Sequence, residues 1–247
     1  MKRYLSLLLV AVMAISLSLG GCTKTTTTIR VATDATWPPF ESVNEQTKAI
    51  EGFDIDLFNA IAAKAGLEVE YVNVAWDPLL AGMAQGTYDA AISSISITAD
   101  RAKVMLFSDP YFAAGQLIAV RSSNTTIKSK ADLVGKTVGV QLGTTGNIEV
   151  DNIDGATAKP YDDIGLAFQD LMNGQVDAVV ADNPMVLSYI GKNKTTLKTV
   201  GEVFSAENYG IAVPKGKEDL LKKINDALKK VIAEGTIETL SAKWLEK

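Results

Sequence analysis

The sequence of 247 residues contains no histidine and only one cysteine. The absence of histidine excludes a histidine-based catalytic triad, a histidine proton relay near neutral pH and most kinds of zinc site. A single cysteine excludes an intramolecular disulfide and a cluster of thiolate metal ligands. We therefore expect no metal centre in this chain.

An excess of positive charge is also missing, since 24 basic residues face 29 acidic ones and the net charge is −5. Phosphate binding needs a basic patch, so we expect no nucleic acid among the partners. The Gly/Thr segment 141–146 lacks the lysine and the spacing of a P-loop, and it lacks the three spaced glycines of a dinucleotide fingerprint. Nucleotide binding is therefore not predicted there, and no cofactor is expected.

The longest apolar run lies at the N-terminus, where residues 5–19 follow Lys2 and Arg3. This run is too short for a membrane span and predicts a signal peptide over residues 1–21. It ends on Leu-Gly-Gly-Cys, which resembles the lipobox of bacterial lipoproteins, with glycine as a less usual residue at position 20. We expect Cys22 to carry lipid and the Thr-rich segment 22–28 to be a polar tether that holds the protein at a membrane surface.

A pattern of nine residues occurs twice in the rest of the chain. Gly-Thr-Tyr-Asp-Ala-Ala-Ile-Ser-Ser at 86–94 aligns without a gap with Gly-Gln-Val-Asp-Ala-Val-Val-Ala-Asp at 174–182. Each copy follows a helix-like segment, so the chain is expected to contain two similar α/β units. The length from residue 29 onward suits two lobes of roughly 100 residues each.

The boundaries of the lobes follow from the polar segments between the predicted strands. We assign residues 29–118 plus 212–247 to the first lobe and residues 119–211 to the second. The polar segment 121–126 is the predicted first crossing between the lobes, and the strand at 209–214 is the predicted return.

The ends of the two repeated strands carry the residues that predict a ligand site. Ser94 ends the first copy, and Asp182 has the equivalent position in the second. Ser96 follows the first copy, and Thr98 is predicted to cap a helical turn that contains Arg101. Open α/β sheets bind ligands at the carboxyl ends of their strands. If the units face each other, hydroxyls and a guanidinium oppose a carboxylate, which suits a zwitterion such as a free α-amino acid.

The loop at 34–40 is predicted to face the same cleft. Its two prolines exclude a helix or a central strand, and they place Asp34, Trp37 and Phe40 on the ligand side. Asp34 is equally consistent with a turn residue, and Trp37 with a plug in the core.

The equivalent loop of the second unit is the Gly/Thr segment that begins at Gln141. Its amides and hydroxyls, including those of Thr144 and Thr145, are expected in the cleft, although either threonine could instead cap a helix. Trp76 stands at a strand-to-helix junction, where it is either a second aromatic wall or a hydrophobic staple.

Taken together, several blocks of the chain resemble the bacterial extracellular solute-binding proteins of family 3, the polar amino-acid receptors of ABC importers. The resemblance covers essentially the whole chain after the signal peptide and is carried by residues 31–34, 39–40, 52–57, 93–101, 107–111, 143–145 and 209–212. It implies a two-lobe α/β fold of the periplasmic-binding-protein type II. Each lobe would be a sheet flanked by helices, and two hinge strands would let the lobes close over one amino acid.

The resemblance also implies roles for the residues that contact the backbone groups of the ligand. By position, Arg101 would clamp the α-carboxylate with help from Ser94, Ser96 and the amide of Thr145. Asp182 would accept the α-ammonium group. A membrane permease would recognise the closed form.

Four further positions would contact the ligand side chain in such a protein. Trp37 and Trp76 occupy the places of aromatic walls, and Asp34 and Gln141 lie where family members read the polar end. An acid and two flat rings suit a guanidinium, and glutamine receptors also carry an acid at position 34, so arginine or glutamine is favoured. Some relatives carry lysine where this chain has Gln141, which makes an acidic ligand less favoured.

Two other classes of protein are alternatives to an amino-acid receptor. A dehydratase of the cyclohexadienyl type uses the same scaffold, but every charged candidate here is already needed for the zwitterion. A sensing module of a receptor kinase or channel would need a spanning helix before the chain ends at Lys247. We therefore predict a monomeric receptor without enzymatic activity, exported to the cell envelope and anchored there by lipid.

Overall fold

The computed structural model describes residues 27–245 and contains two five-stranded sheets with helices packed against them. The predicted signal peptide, Cys22 and most of the tether lie outside the described residues. The strands, numbered along the chain, are β1 (Thr27–Thr33), β2 (Thr36–Trp37), β3 (Glu41–Val43), β4 (Ile50–Glu51), β5 (Leu67–Asn73), β6 (Ala90–Ala91), β7 (Met105–Phe107), β8 (Phe112–Ala114), β9 (Gln116–Arg121), β10 (Thr137–Gln141), β11 (Thr157–Tyr161), β12 (Ala178–Asp182), β13 (Leu197–Val200), β14 (Glu207–Tyr209) and β15 (Ala212–Pro214).

The helices are numbered in the same way. They are α1 (Phe53–Ala65), α2 (Trp76–Gln85), α3 (Ala99–Val104), α4 (Thr145–Asp151), α5 (Ile164–Met172), α6 (Asn183–Lys192), α7 (Glu218–Ala233) and α8 (Thr236–Trp244), with a 3-10 turn at Lys130–Leu133. Within the part of the chain that the structure covers, no helix has the length and apolar character to cross a membrane.

The predicted two-lobe α/β fold is confirmed. The first sheet has the order β5-β1-β6-β15-β7, and the second has the order β11-β10-β12-β9-β13. In both sheets the central strands pair in parallel and the strands that return from the other lobe pair antiparallel. Helices α7 and α8 pack on α1, so the C-terminal segment ends on the first lobe.

The repeat found in the sequence is a repeat in the structure. Strand β6 pairs with β1 in the same register in which β12 pairs with β10. In the first copy Asp89 accepts a hydrogen bond from the backbone N–H of Arg30, at 2.8 Å, and in the second Asp177 accepts one from Thr137, at 2.9 Å. The Asp of the repeated pattern therefore anchors the neighbouring strand in each lobe.

The chain leaves the first lobe earlier than predicted. Strand β9 pairs with β12 and β13, so the residues from Gln116 onward already belong to the second sheet, and 121–126 is not the crossing. The two connections are instead β8 and β14, which pair antiparallel from Phe112 opposite Tyr209 to Ala114 opposite Glu207. These two short strands form the hinge, and they bring both connections next to the cleft.

Candidate functional site

A cavity of about 310 Å³ lies between the two lobes, where the central strands end. Ten of the eleven residues predicted as ligand contacts line it, and the cavity also includes Glu41 and Ser93. The predicted residues at the cavity are Asp34, Trp37, Trp76, Ser94, Ser96, Arg101, Gln141, Thr144, Thr145 and Asp182.

Phe40 is the exception, and its predicted position at the cleft is wrong. Its side chain is fully buried in the core of the first lobe. The ring meets Phe53, Phe112 and Tyr209 edge to face, with centroid distances of 5.3, 5.0 and 5.5 Å. The loop turns at this residue, because its N–H donates to the carbonyl of Trp37 at 3.0 Å, and the ring is directed into the core.

The positive side of the cavity is the guanidinium of Arg101. Thr98 caps α3 as predicted, since its side chain accepts a hydrogen bond from the N–H of Arg101. The guanidinium donates to the carbonyl of Ser96 at 2.9 Å and lies 5.1 Å from the centre of the Trp76 ring. Burial lowers the pKa of Arg101, and the nearby carboxylates of Asp182 and Glu207 raise it. An arginine remains charged under these conditions.

The negative side is formed by Asp182 at the end of β12, which is only 4% exposed. Its carboxylate accepts hydrogen bonds from the Nε2 of Gln116, at 2.6 Å, and from the hydroxyl of Tyr209. Burial and the neighbouring Glu207 raise the pKa of Asp182 to about 6. A ligand cation would bind favourably beside Asp182, because the cation would stabilise the ionised form of this buried carboxylate.

Glu207 is a carboxylate behind the cavity-lining residues Ser96 and Thr145, and the sequence analysis did not predict it. It lies on the hinge strand β14 and accepts hydrogen bonds from Ser96 of the first lobe, at 2.6 Å, and from Thr145 of the second, at 2.7 Å. Gln116 and Ser205 also donate to it, each at 2.9 Å. Burial raises the pKa of Glu207, but these four hydrogen bonds outweigh burial and lower it overall. One carboxylate therefore joins both lobes at the hinge.

Further contacts cross the cleft directly. The Nε2 of Gln141 donates to Asp34 at 3.1 Å, and Nη2 of Arg101 donates to the carbonyl of Gly143 at 3.2 Å. Asp34 is almost fully buried, and burial raises its pKa while hydrogen bonds from Thr36 and Gln141 lower it. The two lobes are thus in a closed arrangement in this structure.

A pair of buried acids, Glu41 and Asp54, forms the floor of the cavity. Both residues have 0% exposed surface, and the N–H of Asp54 donates to the carbonyl of Phe40, the residue before Glu41, at 3.0 Å. The carboxylate of Asp54 accepts hydrogen bonds from the N–H of Ser94, at 2.7 Å, and from the hydroxyl of Tyr111, at 2.8 Å. Burial raises the pKa of both acids.

Several buried polar atoms at the cavity have no hydrogen-bond partner among residues 27–245. Because buried polar groups almost always have partners, these atoms indicate a place for a polar ligand. They belong to Trp37 (Nε1), Trp76 (Nε1), Ser94 (Oγ) and Gln141 (Oε1). No cluster of three or more acidic, histidine or cysteine residues that could hold a metal occurs in the described range.

Comparison with known proteins finds a matching family and similar amino-acid-binding proteins. The model of the bacterial extracellular solute-binding proteins, family 3, matches residues 29–247. The L-cystine-binding protein TcyJ of Escherichia coli K12 is 36% identical over 88% of this chain and 82% of its own length. The putative ABC transporter arginine-binding protein 2 of the same strain is 36% identical over 89% of this chain and 91% of its own length.

Solved structures are similar to the whole described fold. An ancestral arginine-binding protein bound to arginine has a TM-score of 0.84 and 46% identity, over 88% of this chain and 97% of that chain. The same kind of protein bound to glutamine has a TM-score of 0.84 and 45% identity, over 89% and 98% of the two chains. These relatives are binding proteins, which confirms the prediction of a receptor over that of a dehydratase.

Proposed function

We propose that this chain, which belongs to the bacterial extracellular solute-binding proteins, family 3, captures one free L-amino acid between its lobes and delivers it to an ABC permease. The main observation in support is the opposition of two charges, one half-buried and one buried, across one cavity. Arg101 belongs to the first lobe and Asp182 to the second, and both line the cavity. A molecule with one carboxylate and one ammonium group satisfies both charges at once.

In this proposal Arg101 binds the α-carboxylate, assisted by Ser94, Ser96 and the amide of Thr145. Support comes from the hydroxyl of Ser94, which has no hydrogen-bond partner among the described residues, and from the position of Ser96, whose carbonyl accepts from the guanidinium of Arg101 at 2.9 Å. Asp182 accepts hydrogen bonds from the α-ammonium group, which is attached to the same carbon atom as the α-carboxylate.

The ligand side chain lies between Trp37 and Trp76, and its polar end meets Asp34 and Gln141. Both tryptophans are more than nine-tenths buried at the cavity. A guanidinium stacks well on such rings and forms charge-assisted hydrogen bonds with a carboxylate. Glutamine offers an amide to the same two polar residues. Arginine and glutamine are therefore the favoured ligands.

Binding drives closure of the hinge formed by β8 and β14. A ligand shifts a conformational equilibrium only by its difference in affinity for the two states. The amino acid provides that difference because it contacts Arg101 in one lobe and Asp182 in the other, which is possible only when the lobes are closed. The permease then recognises the closed form.

The protein works at the cell envelope. In this proposal the signal peptide directs export, Cys22 becomes the acylated N-terminus, and the Thr-rich tether lets a monomeric binding domain reorient at the membrane. Replacing Cys22 by serine should move the protein from the membrane fraction to the soluble fraction of the envelope. Retention in the membrane fraction would contradict a lipid anchor at this residue.

A thermal-shift screen of the mature protein with the twenty amino acids, ornithine and citrulline tests the ligand assignment. A ligand at 100 times its Kd adds about 2.7 kcal/mol of stability, or about 5–11 °C in Tm for a chain of this size. We expect the largest shift with arginine or glutamine. A shift with another amino acid and none with these two would refute the specificity but not the class, whereas no shift with any amino acid would refute the proposed function.

A further inference from the structure

The Glu41–Asp54 pair is placed to respond to the charge of a ligand side chain. Glu41 lines the cavity and Asp54 lies behind it in the first turn of α1. The Oε2 of Glu41 and the Oδ1 of Asp54 have no hydrogen-bond partner among the described residues. Two buried carboxyl groups with no cation beside them do not both ionise, so the pair holds at least one proton.

The surroundings of the pair contain no compensating positive charge. The loop after β1 contributes Asp34, another acid, and the segment before β8 contributes the hydroxyl of Tyr111. Tyr71 of β5 is the next titratable group, and its pKa is raised by burial and by the charge of Asp54. Across residues 27–245, no lysine or arginine makes a hydrogen bond or an ion pair with Glu41 or Asp54. A cation next to the Glu41–Asp54 pair would therefore have to come from a ligand.

We propose that Glu41 makes the cavity selective for a positively charged side chain, and that the Glu41–Asp54 pair releases its shared proton to solvent when such a side chain binds. This inference rests on the proposed function, because it needs an amino acid in this cavity. A cation within about 4–6 Å of a carboxyl group favours its ionised form. With a neutral amide side chain no cation reaches the pair, so the proton stays.

The proposal predicts different pH dependences for two ligands of similar size. Release of one proton makes the affinity for arginine rise by about tenfold per pH unit, in the range where the free pair is protonated. The affinity for glutamine lacks this contribution. Any proton that leaves Asp182 when the α-ammonium binds is common to both ligands, so the difference between arginine and glutamine isolates the side chain.

Isothermal titration calorimetry of the mature protein in phosphate and in Tris at one pH counts the protons exchanged. We expect arginine to release about one proton more than glutamine, and the Kd for arginine to fall from pH 6 to pH 8 relative to that for glutamine. Arginine binding with the same proton count and pH dependence as glutamine would overturn the inference alone. Absence of heat with every amino acid would overturn the proposed function and the inference with it.

Two variants identify the source of the proton. Glu41→Gln cannot release a proton, so the extra proton with arginine should disappear, whatever the change in Kd for either amino acid. Asp34→Asn should weaken arginine binding yet leave the extra proton in place. The opposite pattern, in which Asp34→Asn removes the extra proton and Glu41→Gln keeps it, would assign the proton to Asp34 and overturn the inference. If Glu41→Gln does not fold, Asp34→Asn decides the question, because loss of the extra proton in that variant would overturn the inference and its retention would support it.

Discussion

Replacement of Arg101 by alanine should abolish most of the affinity for any amino acid. The guanidinium donates to the carbonyl of Ser96 and lies over Trp76, both in the first lobe, so its position is fixed before the lobes close. In the complex it would pair with the α-carboxylate of the ligand. Removing one partner of a buried ion pair costs about 3–5 kcal/mol, because the other charge is left without compensation. At about 1.4 kcal/mol per factor of ten, the Kd of the Arg101→Ala variant should rise about 100- to 4,000-fold.

Calorimetry with the preferred amino acid measures this loss, and Arg121, another half-buried arginine, supplies the control. Arg121 donates to the carbonyls of Leu171 and Val176 at 2.9 and 2.7 Å, away from the cavity. Arg121→Ala should therefore lower the free energy of unfolding without changing the Kd of the folded protein. If Arg101→Ala bound the amino acid within threefold of the unmodified protein, its role as the carboxylate clamp would be refuted.

Three further predictions concern the hinge, the core and the second charge. Glu207→Gln should give the ligand-free protein a larger radius of gyration in small-angle X-ray scattering, because an amide has one acceptor oxygen for the hydroxyls that join the lobes; an unchanged radius would contradict this. Phe40→Ala should lower the unfolding free energy in urea by about 3–5 kcal/mol but leave the Kd unchanged, since the ring belongs to the core. The pKa of Asp182 is raised to about 6, so its contribution to stability is present below the unfolded pKa and is lost as the pH rises through about 6. Urea unfolding between pH 4 and 7 should show a smaller loss in Asp182→Asn than in the unmodified protein, because only the contributions of the other buried acids remain; an equal loss in both would contradict this.

The position of the site could be predicted from the sequence because it depends on local order along the chain. A parallel strand ends where its apolar run ends, and the next polar residues must lie at that edge of the sheet. Ser94 and Asp182 were found in this way, and the repeat related them. The Asp34 and Gln141 loops follow from the same rule, applied to the first strand of each unit.

The buried acids could not be predicted because burial depends on which segments pack together. Glu41 and Asp54 are separated by the β3–β4 hairpin, and each alone is typical of a solvent-exposed acid. Glu207 stands in a polar stretch with no periodicity, and three of its four donors come from distant parts of the chain. The early crossing was missed for a related reason, because an apolar strand such as β9 does not reveal which sheet it joins.

The negative side of the cavity arises from a difference at one position of the repeat that the two lobes share. Asp89 and Asp177 do the same structural work in the two lobes, and the strands that follow them pair in the same register. The lobes differ at the residue where the pattern ends, with a hydroxyl at Ser94 and a carboxylate at Asp182. Because strand pairing fixes where both residues lie, one change of side chain gives the second lobe the opposite charge preference without altering its fold. Selectivity for the ligand side chain then has to come from the loops and buried acids that the repeat does not share.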